Sequence, residues 1–431
     1  MASSTSVTST FAGVTGSRLV VEVQYSAHHR PANLLGGYRW LAFVLFLASA
    51  TNTVSLIALP LFAKDRLGMS LPAIAAYFMM VSLANSGVGV IAGRISDRSR
   101  RRKLFIAVGF AWLAIGFLLL SVLNSAAALL IVGPVLFAAH GVTGPQLFAL
   151  AKEMTTREDR PADSMRVTSW LRVAASAGWI LGSSLGGVAL TLLDSRSIFR
   201  ASALGELICL LVVVYALPSR TALSPGQPRG VATPDSHPAG HPHRTLALFT
   251  LGMVLLSTGR VLRSAMLPIL LRDVIGTPVA QMGLILALPP LVELGMMPLA
   301  ASLASRVGRV PVFLAGAIAS IGYYLGLALV SQTWSVAALQ VLYACFGSAT
   351  LVIGIDIAQS MLPDEPGFAT ALYLAHENLA TVGGSAVAAV STTLLGLHHA
   401  FAVPAATSAA GVALLAVVLH AWHSRVSSGS P

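Results

Sequence analysis

Gly93-Arg94-Ile95-Ser96-Asp97-Arg98-Ser99-Arg100-Arg101-Arg102-Lys103 is the stretch on which the fold turns. Its eleven positions hold six basic residues and one acid, placed where one long apolar run, 72–95, gives way to the next, 104–123. A short basic link between two such runs is what membrane insertion leaves on the cytoplasmic face. The glycine at its head is small enough to let two helices approach. Asp97 and the arginines after it can latch across a helix interface and weigh one arrangement of helices against another.

The rest of the chain has the same character. Of its 431 residues 55% are hydrophobic and 10% charged, and the mean hydropathy is +0.79. Soluble domains carry about 25% charged residues, so a water-soluble enzyme, a coiled coil, a disordered chain and a disulfide-stapled secreted domain are all excluded. A spanning helix needs roughly 20 mostly apolar residues, because lipid offers the backbone no hydrogen-bond partners. Twelve runs qualify: 38–62, 72–95, 104–123, 126–150, 166–191, 198–217, 245–270, 279–303, 310–330, 335–360, 368–395 and 399–422. Cys209 and Cys345 both lie inside such runs, as packing residues rather than a disulfide or metal site. The net charge of +11 comes mostly from short links. It sets topology and gives no nucleic-acid-binding face. With the N-terminus inside, 19 of the 27 Lys and Arg fall on the cytoplasmic side, five opposite and three within spans, which puts both termini in the cytoplasm.

Between the sixth and seventh runs, residues 218–244 hold six prolines and His237, His241 and His243, the composition of a linker. The chain therefore divides into a disordered cytoplasmic tail (1–36), a six-helix half (37–217), a cytoplasmic linker (218–244), a second six-helix half (245–423) and a short cytoplasmic tail (424–431). The tail shows no cleavable signal peptide. The halves echo one another: Gly141 and Gly347, Glu158-Asp159 and Asp364-Glu365, and Gly178 and Gly384 are each 206 residues apart. A faded copy of the basic link, Ala301-Ser-Leu-Ala-Ser305-Arg306-Val-Gly308-Arg309, places Arg306 and Arg309 208 residues after Arg98 and Arg101. Ser305 stands where the first copy has its Asp, so the second latch is expected to lack an anion.

The link at Gly93, Asp97, Arg98, Arg101 and Arg102 resembles the signature loop of the major facilitator superfamily, Gly-x-x-x-Asp-Arg-x-Gly-Arg-Arg-Lys, with Arg100 in place of the glycine. The resemblance implies an all-α membrane protein: twelve transmembrane helices in two pseudo-symmetric six-helix halves that alternate access to a central site. Gly178, Gly182, Gly186 and Gly187 resemble the family's antiporter motif, Gly-x-x-x-Gly-Pro-x-x-Gly-Gly, with Ser183 in place of the proline. Gly144-Pro145-Gln146-Leu147-Phe148-Ala149-Leu150-Ala151-Lys152-Glu153 and Ser169-Trp170-Leu171-Arg172, taken with Glu293, are similar to the bacterial sugar efflux transporters. That likeness implies export of sugars and glycosides against protons across the inner (plasma) membrane. An exporter of drugs or natural products on the same fold is the alternative.

Ionisable groups in mid-membrane cost several kcal/mol unless paired or hydrated, so each is a functional candidate. In this superfamily substrate binds near the midplane between the halves. Asn52, Gln146, Trp170, Arg172 and Asn378 suit sugar hydroxyls and the C–H face of a sugar ring, and Arg172 and Asn378 are again 206 apart. Glu293, Asp356, Glu377 and His140 are the proton-coupling candidates. An alternative for Glu293 is a static ion pair with Arg260. A membrane-embedded enzyme would need a concentrated catalytic set, and no enzyme is expected. The expected partners are a small-molecule substrate and the bilayer, with no nucleic acid. The chain is expected to act as a monomer, with no cofactor or metal and a proton gradient as energy source.

Overall fold

The computed structural model describes residues 7–10, 20–23, 34–99, 101–157, 161–217, 241–363 and 366–428. Twelve helices are long and apolar enough to cross a bilayer. In the first half they are α1 (Tyr38–Asp65), α2 (Leu71–Ser96), α3 (Arg102–Val122), α4 (Ala126–Ala151), α5 (Trp170–Leu192) and α6 (Ser195–Ala216). In the second they are α7 (His243–Val274), α8 (Val279–Val307), α9 (Arg309–Leu329), α10 (Thr333–Met361), α11 (Leu372–His399) and α12 (Ala402–Ser424). Each coincides with one apolar run, its ends moved by four residues at most. The agreement is physical: a run that must satisfy its own backbone in lipid has helix as its only local solution. Three helices outrun the expected boundaries, since helical structure begins at Leu34, inside the expected tail, and at His241, inside the expected linker, and continues to Ser428.

Within the halves α3 lies along α6, α9 along α10 and α12 along α7. Between the halves the main pairings are α5 with α8 and α2 with α11. Ile131, Leu192, Leu329 and Trp334 are each at least 70% exposed on the outside of the bundle. In water such a surface would aggregate; here it is the face turned to lipid. Inside, Phe62 packs edge-on against Phe199 at 5.2 Å, and Tyr323 and Tyr324 are fully buried.

Small residues set the closest crossings, as expected where dispersion rather than water drives helix association. A Cβ on Gly178 would run into the carbonyl oxygen of Phe46, and one on Gly182 into that of Ala50. On Gly186 it would lie 3.3 Å from the Cα of Val54. Three glycines of the antiporter-like motif thus seat α1 on α5. The fourth, Gly187, faces the other half, where its Cβ would lie 2.8 Å from the Cα of Gly283 in α8. Gly384 repeats the first contact in the second half, against the carbonyl of Thr258 in α7.

Several helices are interrupted where the site lies. A turn at residues 138–139 breaks α4 just before His140. The backbone of α7 passes through π-helical segments at Leu262–Met266 and Leu270–Val274, and α10 through one at Thr350–Gly354. Such segments concentrate at functional sites. Gly308, with φ of 98°, makes the one-residue turn from α8 to α9. Asp194 caps α6 by accepting from the Ser197 N–H at 3.1 Å, and hydrogen bonds from the Ser197 side chain and from that N–H hold its carboxyl below the usual range.

Two pieces of the tail expected to be disordered instead pair as an antiparallel ribbon, β1 (Val7–Thr10) with β2 (Val20–Val23), in the register Val7↔Val23. Both are rich in the β-branched residues that favour extended backbone.

Candidate functional site

Two adjoining cavities lie within the bundle and share Leu56, Phe78 and Thr381 as walls. The first, of about 240 Å³, is lined from α1 by Thr53, from α5 by Trp179 and Ser183, from α7 by Arg260, Arg263 and Ser264, and from α10 by Tyr343. The second, of about 280 Å³, is lined from α1 by Asn52 and Ser55, from α2 by Ser82 and Asn85, from α4 by Phe137 and His140, and from α11 by Asn378. Both are built from the two halves together.

Three residues singled out from the sequence, Asn52, His140 and Asn378, therefore meet in one cavity. His140 is oriented by its own helix: its ring stacks on Phe137 at 5.8 Å, and Nδ1 lies 3.2 Å from the Phe137 carbonyl oxygen. Its Nε2 is left without a partner.

The charged groups come from the second half. Arg260 donates to Glu377 at 2.9 Å, joining α7 to α11. The static pair of Arg260 with Glu293, the alternative reading of Glu293, is not formed. Glu293 instead sits against Gly347 of α10, where the missing Cβ makes room for its carboxylate. Its charge acts on Arg263 and Arg260 through space. Arg263 lies over the ring of Tyr343, 4.0 Å from its centroid. His376, beside Glu377, is held by the Tyr373 carbonyl.

Other expected site residues lie elsewhere. Gln146 is buried at the α2–α3 end of the bundle, where its amide oxygen accepts from Arg102 at 2.6 Å and Ser96 at 3.0 Å. It completes the latch and takes no place in either cavity. Trp170 and Arg172 are exposed on α5, whose helix already begins at Pro161, and they line neither cavity. Asp356 is bound by Arg309 at 2.7 Å, and Arg309 also donates to Ser360 at 2.8 Å. The second latch thus has an anion after all, supplied by α10 in place of the Asp missing at Ser305. The two latches match, since Arg102 and Arg309 each open the third helix of their half and each reach the fourth. Arg101 and Arg306 are exposed, and a Cβ on Gly93 would meet open space, so the close approach expected of Gly93 is not made here. The side chains of Asp97 and Arg98 lie outside the described residues, as do Glu158-Asp159 and Asp364-Glu365.

One feature escaped the sequence reading although the repeat carried it. At the end of the bundle holding the α1–α2 and α7–α8 links, Lys64 pairs with Asp273, and Arg272 pairs with Asp65, its second nitrogen at 2.8 Å. Lys64 and Arg272, like Asp65 and Asp273, are 208 residues apart, the spacing of the two basic links. Each half contributes one cation and one anion and meets its own image, as an interface built on a two-fold axis requires. Glu206 is buried in α6 and accepts from Thr51 at 2.6 Å, while its other oxygen has no partner among the described residues.

Twelve spans in two matching halves, with a polar chamber between them and reciprocal ion pairs across one end, define a membrane transporter rather than an enzyme. A sequence profile described as Major Facilitator Superfamily matches residues 41–257 and again 248–429. The chain belongs to that superfamily. Among curated proteins it is similar to Sugar efflux transporter A of Dickeya chrysanthemi, 25% identical over 84% of this chain and 90% of the relative. It is also similar to Sugar efflux transporter B of Salmonella typhimurium, 23% identical over 83% and 89%. Among solved structures, the nucleoside transporter NupG matches at a TM-score of 0.72 and 15% identity, over 89% of this chain and 98% of that one. A bacterial homologue of the human lysosomal transporter Spinster matches at 0.68 and 13%, over 91% and 96%. At these identities the structures speak for the fold alone.

Proposed function

We propose that the protein exports sugars or sugar-like small molecules across the inner (plasma) membrane by alternating access, driven by inward proton movement. In this reading both termini are cytoplasmic, the monomer is the working unit and no cofactor is bound. The observation that carries it is the pair of cavities between the halves, with Asn, Ser and Thr side chains for hydroxyl groups and Trp179 for the apolar face of a sugar ring. The names of the curated relatives support the substrate class and the outward direction.

Glu377 is the coupling carboxylate of this proposal. It holds Arg260 at the cavity wall and lies beside His376. A proton arriving there breaks the ion pair that holds Arg260 at the wall, so the protonated chamber loses its fixed guanidinium donor and releases substrate, and proton and substrate bind in turn. With the N-terminus inside, the Lys64–Asp273 and Asp65–Arg272 pairs lie at the outer end, and this conformation is closed to the outside. The two Arg latches at the opposite end each lie within one half and hold its helices together as the halves rock. A second reading, export of amphipathic drugs or natural products, draws on Tyr77, Phe78, Phe117 and Phe137 in the wall of the second cavity.

The test is uptake of labelled lactose and a labelled glucoside into inside-out vesicles holding the purified protein, with and without an acid interior. Gradient-dependent accumulation is expected. A dye or antibiotic accumulating while both sugars stay outside would select the second reading.

A further inference from the structure

The cations of the first cavity outnumber its anions. Arg260 and Arg263 both line it, and among the described residues neither cavity is lined by a carboxylate. The two arginines differ in one respect. Arg260 is committed to Glu377. Arg263 forms no ion pair among the described residues, and its Nε is buried without a hydrogen-bond partner.

Its guanidinium is nevertheless fixed in place. Stacking on Tyr343 at 4.0 Å sets the plane of the group, and the residue lies in the π-helical turn Leu262–Met266 rather than on a regular helix. A stacked guanidinium presents a planar fork of N–H donors whose geometry matches two oxygens of one anionic group. In a half-buried site such a group is poorly used by a neutral ligand, because neutral hydroxyls bring no countercharge to the fork, and Glu293 acts on it only through space. Ser264, one residue on, and Thr53 and Ser183 across the cavity supply hydroxyls for the remainder of the ligand.

We infer that the preferred substrate is a sugar derivative bearing an anionic oxygen group, a carboxylate or a phosphate, and that Arg263 receives that group. The inference rests on the sugar reading and narrows it. Glu377 and Arg260 keep their coupling role. Arg263 becomes the specificity residue: it adds affinity for the charged sugar without touching the proton site.

The test is equilibrium binding to the purified full-length protein in detergent, measured with glucuronate, glucose 6-phosphate and methyl glucoside. At least one anionic sugar is expected to bind about tenfold or more tightly than the neutral glucoside, as a charge-assisted contact gives. Whichever anion binds tighter identifies a carboxylate or a phosphate as the group recognised. In Arg263→Gln this preference should vanish while binding of methyl glucoside persists, which also shows that the variant is folded. Arg263→Lys, which keeps the charge but loses the fork, should retain only part of it. Equal affinities for all three sugars in the wild type, or a preference untouched in Arg263→Gln, would overturn the inference and leave the sugar reading standing. Binding of none of the three would bring down the sugar reading and this inference with it.

Discussion

The two halves share a fold and a repeat, yet they furnish the cavities differently. The first half lines them with neutral groups: Asn52, Thr53, Ser55 and Asn85, with the ring of His140. The second half brings Arg260 and Arg263, backed by Glu377 and Glu293. A duplicated architecture has kept its symmetry where the halves meet and at the latches, and lost it at the chamber. The contrast teaches where to look for each task. Symmetric features govern the motion, since both facings must be reachable from one another. Asymmetric ones govern what is carried and what drives it.

The largest effect should follow from breaking the second half's ion pair. Arg260→Ala leaves Glu377 uncompensated in the chamber, a loss of about 2 kcal/mol after allowance for partial exposure, or roughly thirtyfold in transport. Vesicle uptake at fixed substrate would read it. A similar loss from Thr53→Val in the first half would erase the proposed division of labour.

Next come the symmetric crossings. Gly178→Val and Gly384→Val each push a side chain into the carbonyl of a helix they seat, at about 1.5 kcal/mol apiece for overpacking. Thermal unfolding in detergent should show falls of the same size. Gly93→Ala, facing open space, should leave the midpoint where it is. Unequal falls at the two matched glycines would mean that the pseudo-symmetry of the crossings does not extend to their energetics.

A smaller effect is expected at the four-charge end. Exchanging Lys64 and Asp65 places like charges opposite Arg272 and Asp273, shifting the balance of facings by about 1 kcal/mol, with strong screening by salt. Spin labels across that end should report a longer distance. Exchanging Arg272 and Asp273 as well should restore the short one. Smallest of all, Asp356→Asn should leave the pH dependence of transport unchanged, because its partner is the latch residue Arg309 and not a cavity group.

Much of this was legible before any coordinates. Long apolar runs and the positive bias of their links admit one fold class, and the glycines at 178, 182 and 186 announced a close crossing. What one sequence does not carry is depth and direction. Gln146 looked like a substrate ligand because polar residues in spans attract notice, but it sits at the end of its span, where Arg102 claims it. Arg172 misled for a related reason: its side chain is exposed and lines neither cavity. Arg260 and Glu377 are 117 positions apart, and only the packing of α7 on α11 chooses that partner over Glu293. Hydroxyls such as Thr53 and Ser183 are too common in these helices to stand out until a cavity collects them. Lys64-Asp65 and Arg272-Asp273 could have been found, since the 208-residue spacing was already in hand.

The central claim is that substrate meets the second half's charged wall and not Trp170 and Arg172 of α5. Uptake of a labelled glucoside into inside-out vesicles, compared between the wild type, Arg172→Ala and Arg260→Ala, tests it most directly. The account predicts near-normal uptake for Arg172→Ala and a collapse for Arg260→Ala. Lost uptake in Arg172→Ala with normal uptake in Arg260→Ala would contradict it.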